Sequence, residues 1–375
     1  MAKRKAAPIS QQAPRKKRCT TQKEAPAWTF KPKDWILDRE IVENEVALLR
    51  SRTSRGLFIV RKIVKLDDTD TSDDRPREVK VLEQLPRCNR IVHLLGLAPR
   101  GPKDGEENLL FQYYPMGDLK DWRERICTKL NHKPVPESYM WRFLIQMTQA
   151  VAFIHNELGP NRDNRGVLLH RDIKPKNVLV YSNGTTYPSF KLHDFGCARF
   201  MYRKMPRTTI AGTYEWQAPE IPHVNTKAAD VWAAGACLHF LAVGEAPVQN
   251  VERHMQRVVG GNGGIYPNRP SMADYANHYR YYCAKVPREV TAINLSPAQQ
   301  ETVGIAPYNS PDRPTHNAEY TDALNTWMNR ILHFTPSERP SAGQLVTDLI
   351  PVAREWLKKM TGKSGLVDLE IKFET

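Results

Sequence analysis

The stretch LLHRDIKPKNVLVY, residues 168–181, sets His170, Arg171, Asp172, Lys174, Lys176 and Asn177 between two aliphatic runs. An acid, an amide and several cations this close together on one loop can manage a proton and an anionic group at the same spot. Such chemistry needs the loop held open, and the aliphatic runs on either side supply the anchors. Two further sets stand out: Asp194-Phe195-Gly196, shortly downstream, and Lys62 within FIVRKIVK, residues 58–65.

The elements that must position these residues divide the chain. From Asp34, β-branched and aliphatic runs at 35–37, 46–49 and 57–64, with turn residues at 51–56, predict antiparallel strands. A helical window at about 76–86 precedes two more apolar runs, 91–97 and 109–114. After Pro136, the residues Met140, Phe143, Leu144, Met147, Val151 and Ile154 recur at three- and four-residue spacing and predict an amphipathic helix. Asn183-Gly184, between apolar runs at 178–181 and 190–193, is a hairpin signal, so the polar stretch lies on the loop entering a β-ribbon. Residues 231–243 are apolar nearly all round, as in a helix buried on every side. In the Gly-, Tyr- and Pro-rich segment 249–319, the cluster Tyr275, Tyr279, Tyr281 and Tyr282 is read as packing under a long loop, with a docking surface as the alternative.

In order and spacing, His170-Arg171-Asp172 with Lys174 and Asn177, then Asp194-Phe195-Gly196, then Ala218-Pro219-Glu220, resemble the eukaryotic protein kinase superfamily of the Ser/Thr type. The resemblance covers about residues 34–357 and implies an α+β, bilobal protein-kinase-like fold. A small antiparallel-sheet N-lobe with one helix (about 34–111) is expected, then a hinge (about 112–118) and a mainly helical C-lobe (about 119–357) carrying the 249–319 insert, with a C-terminal tail at 358–375. The resemblance further implies transfer of the ATP γ-phosphate to protein Ser/Thr hydroxyls, with ATP and Mg²⁺ as cofactors. Asp172 is then the acceptor of the substrate proton and Lys174 a cation reaching the same phosphate, while Asn177 and Asp194 offer oxygens to the metal. Lys62, with Lys65 as its competitor, would pair the α- and β-phosphates, and Glu78 would be its ion-pair partner. Phe111 takes the gatekeeper position, Gln112 and Tyr114 the adenine edge, and Asp118 the ribose. Asp230 would cap the backbone of the catalytic loop, and Glu220 would pair with Arg339. In the activation segment, 194–220, Thr208 or Thr209 is the expected phosphosite for Arg171 to bind, and Thr213 shapes the substrate groove.

The chain also departs from the family. Where a G-x-G-x-x-G loop brings backbone N–H groups close to the phosphates, it reads EIVENEVALLR, with no glycine and with Glu40, Glu43 and Glu45. Val60 stands where an alanine is usual above adenine and Ala47 where a valine is usual, so the bulk over the purine would be exchanged between two strands. Two readings follow: an active Ser/Thr kinase, or a pseudokinase scaffold that holds partners.

The totals agree with an ordinary globular body. Of a net charge of +14, residues 1–33 contribute +9, through ten Lys/Arg against Glu24, leaving +5 for the remainder. Nucleic-acid binding by the folded domain is therefore not expected. The basic segment reads as a disordered tail whose clusters, Lys3-Arg4-Lys5 and Arg15-Lys16-Lys17-Arg18, have the layout of a bipartite nuclear import signal. A nuclear protein with an import receptor among its partners is expected, otherwise a cytoplasmic one. The six cysteines show no C-x-x-C pair, which argues against a disulfide framework or a zinc site. No apolar run is long enough to span a bilayer, so no membrane association is expected.

Overall fold

The computed structural model describes residues 30–66, 73–99, 105–129, 134–201, 211–220, 225–265, 277–303 and 318–374. Most of the basic tail, the two threonines at 208 and 209, Tyr275, and parts of the 249–319 insert lie outside the described residues.

The first lobe is one sheet and one short helix. Strands β1 (Trp35–Val42), β2 (Val46–Ser51), β3 (Phe58–Lys65), β4 (Leu94–Ala98) and β5 (Glu106–Gln112) pair antiparallel in the order β1-β2-β3-β5-β4. Register decides what each face presents. Lys62 lies opposite Val46 and Val60 opposite Leu48, so with a side-chain period of two these residues share one face. On the other face Leu49, Ile59, Ala98 and Leu110 form a small separate core with Phe30 and Trp35. Helix α1 (Arg77–Leu82) begins after Pro76, whose carbonyl accepts the N–H groups of Val79 and Lys80. It is shorter than the expected window and buries Glu78, Val79, Val81 and Leu82.

The second lobe is helical. It contains α2 (Leu119–Lys129), α3 (Glu137–Ile154), α4 (Lys227–Val243), α5 (Val251–Gly261), α6 (His278–Lys285), α7 (Pro297–Thr302), α8 (Asp322–Ile331) and α9 (Ala342–Thr361). Two small ribbons lie between α3 and α4: β6 (Leu168–Leu169) pairs with β9 (Arg199–Phe200), and β7 (Val178–Ser182) with β8 (Pro188–Leu192). The β7–β8 turn contains Asn183-Gly184, with Gly184 at φ +85° and the Asn183 side chain accepting from the Thr185 amide.

Helix α3 is buried from Met140 to Ile154, enclosed by α9, α4 and β8, and Trp141 stacks on Trp356 of α9 at 6.3 Å. Helix α4 starts at Thr226, whose hydroxyl accepts the Ala229 amide, and it is buried on every side as its composition predicts. Gly235 permits that. A Cβ there would lie 2.5 Å from Ile331 of α8, so the two helices approach at van der Waals contact only because the side chain is missing.

In the insert, Tyr282 and Cys283 pack with Tyr214 and Val251 in a satellite core, while Tyr279 is exposed. The segment set apart as a tail, 358–375, belongs to the domain instead. Helix α9 runs on to Thr361, and the residues after it return across α3 with Leu369 buried. No helix among the described residues is long and apolar enough to cross a membrane.

His239 ties α4 to two loops. Its Nδ1 lies 2.9 Å from the Glu245 carbonyl and its Nε2 accepts from the Thr291 amide at 3.0 Å, an arrangement that requires the neutral imidazole. Burial depresses its pKa to about 4. The unfolded chain therefore binds more protons below pH 6.5, and stability should fall as pH drops from 6.5 to about 4, by up to about 3 kcal/mol from this residue. Urea unfolding as a function of pH should show that slope, and His239→Asn should reduce it, the remainder coming from the buried His93 and His193, whose pKa values are depressed in the same way.

Candidate active site

The face of β3 that carries Lys62 looks into the cleft between the lobes. Lys62 Nζ donates to Glu78 Oε2 at 2.7 Å and to Asp194 Oδ1 at 2.6 Å. Burial alone would lower the pKa of this amine, but the two carboxylates outweigh it and raise the pKa above the ordinary lysine value. Burial would likewise raise Asp194, yet the Lys62 ammonium holds it down to about 2. Glu78 Oε1 also accepts from the amide of Phe195, so α1 and the 194–196 triplet are fastened together. Lys65, by contrast, is exposed at the end of the strand. The alternation of the strand thus favours Lys62 over its competitor.

The polar stretch forms a loop entering β7. Asp172 Oδ2 accepts from Lys174 Nζ at 2.8 Å and from Asn177 Nδ2 at 3.1 Å, and Asp172 Oδ1 accepts from the Thr213 hydroxyl at 2.9 Å. Lys174 Nζ also donates to Thr213 Oγ1 at 2.8 Å, so acid, amine and hydroxyl close a triangle. Asn177 Nδ2 donates to the Asp172 carbonyl at 2.8 Å, leaving its amide oxygen outside this bond set.

Backbone strain at both key positions is held from below. Arg171 and Asp194 both have left-handed backbones, at φ 70° and 63°, which cost about 1 kcal/mol or more for a residue other than glycine. Asp230, buried at the start of α4, accepts the His170 amide at 2.8 Å and the Arg171 amide at 2.9 Å, and lies 3.0 Å from His155 Nε2. Burial would raise the Asp230 pKa, but the His155 hydrogen bond and these donors hold it below the usual carboxylate range. His170, fully buried, packs its ring against Phe195 and bonds to the His193 carbonyl, so the two strained residues share a support. Gly212 presses on this loop: a Cβ there would lie 2.3 Å from the Arg171 carbonyl oxygen, and its φ is +75°. Further out, Arg339 donates through both terminal nitrogens to Glu220, at 3.1 and 3.0 Å.

Residues 44–349 match the family model of the protein kinase domain. The chain belongs to the protein kinase family. It is 35% identical over 124 residues to a mitogen-activated protein kinase kinase kinase of Drosophila melanogaster, covering 32% of this chain and 10% of that protein. It is 30% identical over 212 residues to the serine/threonine-protein kinase KIC1 of Saccharomyces cerevisiae, covering 54% of this chain and 17% of that protein. The chain spans less than half the length of these curated relatives. In fold it is similar to a chain in the structure of the CAK complex from Chaetomium thermophilum bound to ATP-gamma-S. The TM-score is 0.52 at 21% identity, over 84% of this chain and 90% of that one.

Within this kinase domain the cleft has a volume of about 500 Å³, in the range of small-molecule sites. Val60, Phe111, Gln112, Tyr114 and Asp118 line it together with Lys62, Glu78, Asn177 and Asp194. Asp118 Oδ1 also accepts the Asp121 amide, capping α2. Ala47 does not line the cleft. It pairs with Arg61 on the opposite face of the sheet, and its neighbour Val46 takes the cleft position, because a shift of one residue reverses the side-chain direction. The exchange of bulk between strands is thereby corrected: valine stands on both β2 and β3 above the cleft. The glycine-free stretch is a tight turn, Glu43 to Glu45, closed by the Glu45 amide on the Val42 carbonyl, with Asn44 at φ 58°. Of its glutamates Glu45 lines the cleft, while Glu40 and Glu43 are exposed outside it.

Ile41, Val42, Val46, Val92 and Leu179 also line the cleft, although no motif in the sequence marks them. Leu179 has a signal in the strand alternation, two residues beyond Asn177.

Asp230→Ala would leave two buried amides and His155 without their acceptor. A loss of stability of about 3 kcal/mol is expected, read as a fall in the urea midpoint. An unchanged midpoint would show that the capping carries no load.

Proposed function

We propose that this domain transfers the γ-phosphate of ATP to serine or threonine hydroxyls of protein substrates, with Mg²⁺. The observation that carries the reading is the triangle of Asp172, Lys174 and Thr213, joined through the Asn177–Asp172 hydrogen bond to the cleft that Asn177 lines with Lys62 and Asp194. Here a threonine hydroxyl already donates its proton toward Asp172 while Lys174 donates to its oxygen. A substrate alcohol needs those two contacts as its proton leaves and negative charge grows on the oxygen.

The residues fit the groups this reaction requires. Lys62 presents a cation fixed by two carboxylates, suited to phosphate oxygens. Asn177 and Asp194 are the oxygen donors for the metal, a hard-ligand set that suits Mg²⁺. Among the described residues no cluster of three or more His, Cys, Asp or Glu could hold a metal by itself, consistent with a site that nucleotide phosphates complete. Bound nucleotide and metal supply the phosphoryl group and neutralise its charge. Asp172 holds the alcohol proton, Lys174 steadies the alcohol oxygen, and Val46, Val60 and Leu179 shield the cleft from water.

Asp172→Asn in the full chain should lower phosphotransfer with Mg²⁺ and ATP by on the order of 10²–10⁴, since the acceptor is lost while the size is kept. Activity equal to wild type would sink the assignment of the base.

A second reading, a scaffold with weak or no phosphotransfer, is favoured by the turn of β1 and β2. It offers Glu45 to the cleft in place of backbone donors. On the kinase reading that carboxylate weakens nucleotide binding by repulsion, and Glu45→Gln should lower the KM for ATP by up to about fivefold, the scale of an exposed charge pair. No phosphotransfer by either wild type or Glu45→Gln would favour the scaffold.

A further inference from the structure

We propose that residues 363–374 form a brace for the phosphotransfer centre, and that Arg90 and Asp368 are positioning residues acting through the connector between α1 and β4. The proposal rests on the kinase reading for its effect on turnover, but not for its structural content. The match to the protein kinase domain ends at residue 349, so this segment lies outside the core shared with the family.

The connector is joined to both segments whose carboxylates hold Lys62. At its start it continues α1, which carries Glu78. In its middle it is stitched to the last residue of β8: the Leu192 amide donates to the Arg90 carbonyl and the Val92 amide to the Leu192 carbonyl, each at 2.9 Å. Asp194 follows two residues after Leu192. A displacement of the connector therefore moves Glu78 and Asp194 together.

The other edge of the connector is held by the C-terminal segment. The Asn89 amide donates to the Lys372 carbonyl at 3.1 Å, the Lys372 amide returns a bond to Asn89 Oδ1 at 2.7 Å, and the Glu374 amide donates to the Arg87 carbonyl at 3.0 Å. Arg90, fully buried, donates to the carbonyls of Asp368 and Glu370, at 2.6 and 2.9 Å, and to Gln149 of α3 at 2.7 Å. Asp368 has a left-handed backbone, φ 56°, which turns its carboxylate onto Tyr181 Oη at 2.6 Å and Asn89 Nδ2 at 3.0 Å. Tyr181 belongs to β7, the partner strand of β8. One carboxylate thus spans the connector and the ribbon that leads to Asp194.

The seat is built for this segment. Arg142, also fully buried, donates to the carbonyls of Gly365 and Val367, while Gln146 and Gln149 donate to those of Asp368 and Leu369. Buried guanidinium groups need acceptors for all their N–H groups. Here backbone carbonyls of the C-terminal segment supply several, so its departure would strand donors in the core and loosen the connector.

The test uses the full chain with Asp368→Asn, which keeps the size and tolerates the left-handed backbone, and with Leu369→Ala, which weakens the seat without altering charge. Both are compared with wild type by hydrogen exchange and by steady-state kinetics. Exchange over residues 77–92 and 192–197 should speed up about tenfold, the shift expected for one lost buried contact, with α4 unchanged. The KM for ATP should rise and kcat fall by several-fold, following the exchange at 77–92. Acceleration confined to 362–374, with kinetics unchanged in both variants, would overturn the proposal. If one variant fails to fold, the other decides it by the same criteria. If wild type shows no phosphotransfer, the kinase reading falls, and the exchange pattern alone decides whether the brace exists.

Discussion

A single half-buried ammonium group, Lys62, is shared between Glu78 of the first lobe and Asp194 of the second. Glu78 could not be buried so far without it, because an uncompensated charge at that depth is costly. The pair therefore does more than line a cleft. It ties a short helix, a five-stranded sheet and the loop after β8 into one geometry. The additional bond from the Phe195 amide to Glu78 makes the tie two-sided.

Beneath that contact lies a second constraint. Two residues with left-handed backbones, Arg171 and Asp194, sit on separate loops that converge through the buried ring of His170. Strain of this kind persists only where surrounding bonds over-determine it. Asp230 provides them for the first loop, and it can do so because α4 is buried all round, with Gly235 letting α8 close against it. The helix whose composition gives no amphipathic face is thus the platform for the polar loop at 170–177.

The roof of the cleft is built differently from its floor. The floor carries a hydrogen-bonded set, whereas the roof replaces backbone donors with a three-residue turn, three valines (Val42, Val46 and Val60) and a carboxylate. On the proposed kinase reading, phosphate contacts on the protein side come chiefly from Lys62, which raises the importance of everything that fixes Lys62. The C-terminal segment belongs to that support because it grips the connector leaving α1 from the side opposite β8.

Much of the site was legible before the fold. Asp172, Lys174, Asn177 and Asp194 are close in sequence and flanked by apolar strands, so local spacing nearly determines their convergence. Lys62 and Glu78 were legible because strand alternation and helix onset fix which way each side chain points. Ala47 was misplaced for the same reason that Lys62 was not: with a period of two, one residue of register separates the cleft face from the outer face, and only the pairing of β2 with β3 sets that register. The C-terminal segment was read as a tail because it has little periodicity of its own. Its order comes from backbone carbonyls meeting Arg90, Arg142, Gln146 and Gln149, residues 220 or more positions away, and contacts that recognise a backbone leave no trace in the sequence that supplies it. The sequence by itself determined the chemistry, through residue types at short spacing; the tertiary structure decided register, burial and the brace, because those depend on hydrogen bonds between segments far apart along the chain.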